Sequence, residues 1–200
     1  MNAQLLAYIQ YFTEARARVR ELTSDLTDDT FNQRPASGAW SIAENIDHLC
    51  VIGELLLPRI DVGIDEARIR KWHGDGPFRY PLLSRIFLKS VGPLPASGRG
   101  KAKSPKIYVP TPNHALESTV ARFVTLQDSL IVRCKAADGL DLRKPALASP
   151  VSPLIRLRLG AWIEAIALHQ LRHFQQIEGV REAIGKGGAA PAHVVSSSSE

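Results

Sequence analysis

Three histidines carry the chemistry this sequence offers most directly. His169 and His173 stand four apart in His169-Gln-Leu-Arg-His173. On a helix of about 3.6 residues per turn that spacing turns about 400°, which puts both imidazoles on one face, one turn apart. Two imidazoles so placed can grip one ion. The spacing alone is a weak signal, because six histidines in 200 residues yield an accidental pair of this kind in about one chain in six. Its setting adds weight. Positions 159, 162, 166, 169, 173, 177, 180 and 184 form one helical stripe whose other members are Leu, Trp, Ile and Val. Both histidines therefore face an interior. The residues alone leave two readings open there: hydrogen-bonded core histidines, or a pair sharing a cation because a core offers stacked imidazoles few other partners.

A four- or six-coordinate ion needs a further protein ligand. His48, in the apolar middle of an earlier helix, is the histidine outside the pair that falls within a core helix, whereas His73 and His114 lie in or beside a loop and His193 in the tail. Glu44, one turn before His48, can orient its imidazole or close a capping box with Ser41; the box is the reading adopted. No general base stands out. Trp40, Trp72 and Trp162 read as core aromatics before pocket linings. Cys50 and Cys134 are too isolated for a disulfide framework or a thiolate cluster and read as reduced, buried small hydrophobes.

Four helices must position these residues. Leu5, Tyr8, Ile9, Phe12, Ala15, Val19 and Leu22 keep the three-or-four spacing of helix one. After the breaker run Arg34-Pro-Ala-Ser-Gly38, helix two begins near Ser41 and runs to about Asp65 or a little beyond, with Pro58 a candidate kink. Thr111 and Pro112 read as N-cap and first residue of helix three, whose stripe is Leu116, Val120, Phe123, Leu130, Ile131 and Cys134, with Gly139 at its end. Helix four carries the histidine pair and stops near Gly185. No stretch shows sustained strand alternation. The expectation is an all-α four-helix bundle over residues 1–185 with a tail over 186–200 too poor in apolar residues to pack.

Between helices two and three lies a segment, 70–112, rich in Pro and Gly, in which Leu82 to Leu88 could form two or three helical turns. Charge is concentrated there: from Ala67 to Pro112 ten Lys or Arg face one acid, a balance of +9, which leaves 15 basic and 19 acidic residues, or −4, elsewhere. The net +5 thus belongs to one loop-like segment and not to a helix face laid out for a DNA groove. The run Arg99-Gly-Lys101-Ala-Lys103-Ser-Pro-Lys106 reads as solvated loop, crossing one end of the bundle as an appended cover outside the core. No nucleic-acid partner is expected. No apolar run approaches the ~20 residues that span a bilayer, and the first twenty residues lack a signal-peptide pattern. The expectation is a cytoplasmic protein with no membrane partner, a second copy of the chain being the candidate macromolecular partner.

The stretch Arg34-Pro-Ala-Ser-Gly-Ala-Trp-Ser-Ile-Ala-Glu-Asn-Ile-Asp-His48-Leu, followed some 120 residues later by His169-x3-His173-x2-Gln176-Ile177, resembles the DinB/YfiT-like family of metalloproteins. The resemblance covers residues 1–185. It implies a four-helix bundle holding a divalent ion between His48 of helix two and His169 and His173 of helix four. Three neutral imidazoles accept Zn, Ni, Fe or Cu and leave at least one coordination position open for water or substrate. Some relatives are implicated in thiol-dependent transfer, so the resemblance implies a small-molecule substrate and a low-molecular-weight thiol for a metal-dependent transferase or hydrolase. The competing reading is a non-catalytic, stress-related binding protein with a structural or vestigial histidine site. With histidines of ordinary pKa, about 6.5, the ion is expected to leave below about pH 6.

Overall fold

The computed structural model describes residues 1–94 and 104–187. Arg99, Lys101 and Lys103 of the basic run, and the tail beyond Gly187, lie outside the described residues. Among the described residues six α-helices run in the order α1 (Ala3–Thr23), α2 (Asp28–Asn32), α3 (Ile42–Ile69), α4 (Leu82–Val91), α5 (Leu116–Ala136) and α6 (Leu159–Gly187). A small antiparallel hairpin, β1 (Ala146–Ala148) with β2 (Arg156–Arg158), pairs Leu147 with Leu157 just before α6. The chain is an all-α bundle whose four long helices are α1, α3, α5 and α6. No helix of the described residues is long and apolar enough to cross a membrane.

Cross-helix contacts give the directions. Tyr8 meets Glu164, Arg18 meets Glu178, and Asp25 meets Arg181, so α1 and α6 run the same way. Arg122 meets Asp47 and Glu54, and Arg133 meets Asp61, so α3 and α5 also run together. Asn45 meets His173 and His48 meets His169, so α3 and α6 are antiparallel. Two consecutive long helices that run together cannot be joined across one end. With 28 residues, α3 is about 42 Å long at 1.5 Å per residue, and the chain must travel that length back before α5 can start.

This corrects the expectation of an appended cover. The returning chain lays α4 against α6 and buries Phe78, Tyr80, Ser84, Leu88 and Tyr108. Tyr80 packs so closely that a methyl group on Gly160, at the start of α6, would strike its hydroxyl. The expected start of α5 at Thr111 is also wrong. Asn113 takes a positive φ of 64°, the backbone of His114 exchanges two hydrogen bonds with the Asn32 side chain at 2.7 and 2.9 Å, and α5 begins only at Leu116, whose amide donates to the Asp28 carboxylate at 2.8 Å. Tertiary partners displaced the local Thr-Pro signal. At the other boundaries, α3 passes through Pro58 without a break and α6 passes Gly185.

The core falls into two clusters. One gathers Leu5, Phe12, Ile60, Leu130 and Ile163, and the other Val19, Phe31, Ile46, Phe123 and Ile177. On α6 the residues of the first cluster end near Leu168 and those of the second begin at Phe174, which leaves His169 and His173 at the junction.

Candidate metal centre

The start of α3 is fixed before its histidine is. Ser41 accepts from the Glu44 amide at 3.1 Å, and the Glu44 carboxylate accepts from the Ser41 amide at 2.8 Å and from Nε of Arg34 at 2.8 Å. This is the capping box read from the sequence, with Arg34 closing it from outside. Burial pushes the Glu44 carboxyl up, but the Arg34 guanidinium and the Ser41 amide together hold it below the usual carboxylate range. The hydrogen bonds of the Glu44 carboxylate go to Arg34 and Ser41 and not to His48. The phase it sets turns Asn45 and His48, three residues apart, toward α6.

The imidazoles of His48, His169 and His173 converge, and a set of ligand atoms, one from each, lies within 4.8 Å of one another. Each ring is tied at Nδ1. His48 Nδ1 is 2.5 Å from the Tyr108 carbonyl oxygen, His169 Nδ1 is 3.2 Å from that of Val91, and His173 Nδ1 is 2.7 Å from Oδ1 of Asn45. The Asn45 amide is oriented by its own nitrogen, which donates to the Ser41 carbonyl at 2.8 Å. All three partners are oxygens that only accept, so each Nδ1 carries its ring's proton. That leaves Nε2 as the unprotonated nitrogen of each ring, and Nε2 of His48 and Nε2 of His169 stand 3.2 Å apart.

Two lone pairs at that distance repel unless something positive lies between them. Donors about 2.1 Å from a tetrahedral ion stand about 3.4 Å apart, so the spacing suits a shared cation. The electrostatics suit it as well. Burial, followed by the neighbouring imidazoles, holds His173 well below its ordinary pKa and pushes His169 down to about 4. Burial lowers His48 too, partly opposed by the Tyr108 carbonyl and the Asp47 charge. The rings are neutral at pH 7, the state in which imidazole ligates metal. His48 and His173 are buried and His169 is half-buried.

The sequence reading missed the groups around the rings. Trp40 lies over the cluster, its ring centroid 4.8 Å from that of His48 and 6.1 Å from that of His173, stacked on the latter at 15°. That departs from reading it as an ordinary core aromatic, although Trp162 is one, with its indole nitrogen donating to the Leu147 carbonyl at 3.0 Å. Arg172, inside the His-x3-His motif, pins the end of α4 by donating to the carbonyls of Gly92 and Ser90, each at 2.6 Å. Asn45 was legible as a polar residue on the face of His48; Val91 and Tyr108 act through backbone oxygens, which no residue type announces. His114 stands near Asp47 and His73 near Gly139, and neither belongs to the cluster.

Residues 11–177 match the DinB superfamily. The chain belongs to that family. It is also similar to the uncharacterized protein YuaE of Bacillus subtilis, at 24% identity over 174 residues, 86% of this chain and 96% of YuaE. No solved structure matches it. For a DinB superfamily member the three-histidine cluster joining α3 to α6 is compatible with metal binding, and its residues are those the sequence singled out.

Proposed function

We propose that this DinB superfamily protein binds one divalent metal ion through Nε2 of His48, His169 and His173 and is a metal-dependent enzyme of the thiol-transferase or hydrolase type. One observation carries the reading: every Nδ1 is held by an oxygen acceptor, so three neutral imidazoles turn unprotonated nitrogens toward one point. Zn, Ni and Fe all suit such a donor set. An ion held by three protein ligands would supply a Lewis acid with an open position, able to keep a thiol as thiolate or to lower the pKa of a water.

The protein's own part is positioning and exclusion. The Nδ1–H bonds fix tautomer and ring plane, Trp40 shields the cluster from water on one side, and the half-buried His169 marks the side from which a small molecule would approach. The substrate belongs to the same proposal: a low-molecular-weight thiol with an electrophilic partner, handled by a cytoplasmic, homodimeric protein.

Elemental analysis of protein purified without a histidine tag tests the first step, with about one equivalent of metal per chain expected. A screen of thiols against electrophiles, with metal-stripped protein as control, tests the second. Absence of stoichiometric metal would put the non-catalytic binding reading in its place.

A further inference from the structure

Asp47 precedes His48 on α3 and is buried, with 4% of its surface exposed. It uses both carboxylate oxygens. Oδ1 accepts from Arg122 at 2.6 Å, and Oδ2 accepts from the backbone amide of Thr111 at 3.3 Å, with Nε2 of His114 3.5 Å away. Three residues before Thr111, at the end of the 3-10 turn Lys106–Tyr108, stands the carbonyl that holds His48 Nδ1. Two adjacent residues of α3 therefore grip one strap at two points, Asp47 at Thr111 and His48 at Tyr108.

A brace between α3 and α5 would explain an Asp47–Arg122 pair on its own, but that brace exists without Asp47. Arg122 already holds Glu54 of α3 through Nε and a terminal nitrogen, at 2.7 and 2.6 Å. What Asp47 alone supplies is the anchor on the Thr111 amide, at the point where Asn113 turns through positive φ and the chain bends toward α5.

We propose that Asp47 is a positioning residue for the histidine cluster: by holding Thr111 it sets the register of the 105–111 strap, so that the Tyr108 carbonyl meets Nδ1 of His48 and turns Nε2 toward His169 and His173. The effect on metal affinity rests on the metal-binding reading above. The effect on the His48 ring does not.

The test compares wild type, Asp47→Ala and Thr111→Pro. The last deletes the donated amide, leaves Asp47 and Arg122 in place, and keeps the proposal testable if Asp47→Ala does not fold. Imidazole nitrogen NMR of the metal-free proteins reads the His48 tautomer, and chelator competition with Co(II) reads affinity. Both variants are expected to lose the single Nδ1–H form of His48 and to bind Co(II) about 10- to 100-fold more weakly, the usual cost of removing an outer-sphere partner. If either variant folds and keeps the wild-type tautomer and Co(II) affinity, showing only a lower melting temperature, Asp47 is merely a structural brace and the proposal is wrong. If wild type binds no Co(II) but the variants still change the His48 tautomer, Asp47 positions the ring as proposed and the metal-binding reading fails on its own.

Discussion

The seam between α3 and α6 and the returning segment between α3 and α5 both serve the same three imidazoles, by different means. The seam supplies side chains: His48 and Asn45 from α3, His169 and His173 from α6. The returning segment supplies main chain: the carbonyl of Val91 at the end of α4 and that of Tyr108 on the strap. A site can thus be half side chain, where residue type and period expose it to a reader, and half backbone, where only the path of the chain decides. The segment that looked most like dispensable loop fixes two of the three rings.

The sharpest way to break this comparison is at the seam. His173→Ala and His169→Ala should each abolish stoichiometric metal binding in a protein that stays helical by circular dichroism, since the surrounding core is made by residues such as Phe174, Ile177 and Ile163. Full metal occupancy in either variant would remove the site. Within the returning segment the largest effect should come from Leu88, on the buried face of α4 and 6% exposed: Leu88→Ala is expected to cost about 2–5 kcal/mol in denaturant unfolding. A cost below about 0.5 kcal/mol would return the segment to the status of an appended loop.

Asn45 sharpens the comparison because it does with a side chain what Val91 and Tyr108 do with carbonyls. Asn45→Ala leaves the His173 Nδ1–H buried without a partner, at about 1–3 kcal/mol, and should weaken metal binding about 10- to 100-fold. Equal affinity in calorimetric titrations of both proteins would show that ring orientation does not limit binding.

The protonation behaviour revises the expectation of metal loss below about pH 6. Because burial lowers all three histidines, His169 to about 4, protons compete for the nitrogens later, and release should have its midpoint below the pH of about 6 expected of ordinary histidines. Stability follows the same sign. The unfolded chain takes up protons near pH 6.5 and the folded one only lower, so the contribution of these histidines is whole above about 6.5 and falls as pH drops toward about 4. Chelator-free dialysis with metal assay at each pH reads the first effect and urea melts the second. A midpoint above pH 6 would mean that the rings are more hydrated than their burial implies.

Much of this was legible. The stripes of α1, α3, α5 and α6, the Ser41–Glu44 box and the three histidines follow from period and spacing, since long helices burying one face leave a regular trace. The rest hid for identifiable reasons. The five-residue α2, held by Thr27 and burying Phe31, is too short for a period. The hairpin has three residues per strand. The direction of α5 is a property of packing, invisible to any one window, and with it went the route of the returning chain and the two carbonyls it delivers. At Thr111 a local capping signal pointed the wrong way because Asp47, Asn32 and Asp28 hold the chain differently.

The smallest effect expected concerns charge within the returning segment. Arg79, Arg85, Lys89 and Lys106 are exposed, and none has an ion-pair partner among the described residues. Their contribution to stability should be near that of ordinary surface residues, within about 0.5 kcal/mol each. Replacing all four with serine should therefore leave the melting temperature and the metal content of the protein almost unchanged, in contrast to Leu88→Ala in the same segment. What the quadruple variant should lose is attraction for anions, so binding of an acidic thiol such as glutathione should weaken, and by less at 0.5 M salt than at 0.05 M, since screening already suppresses the attraction at the higher salt. A variant that unfolds or sheds its metal would show that the charges, and not the buried side chains and carbonyls beneath them, hold the segment in place.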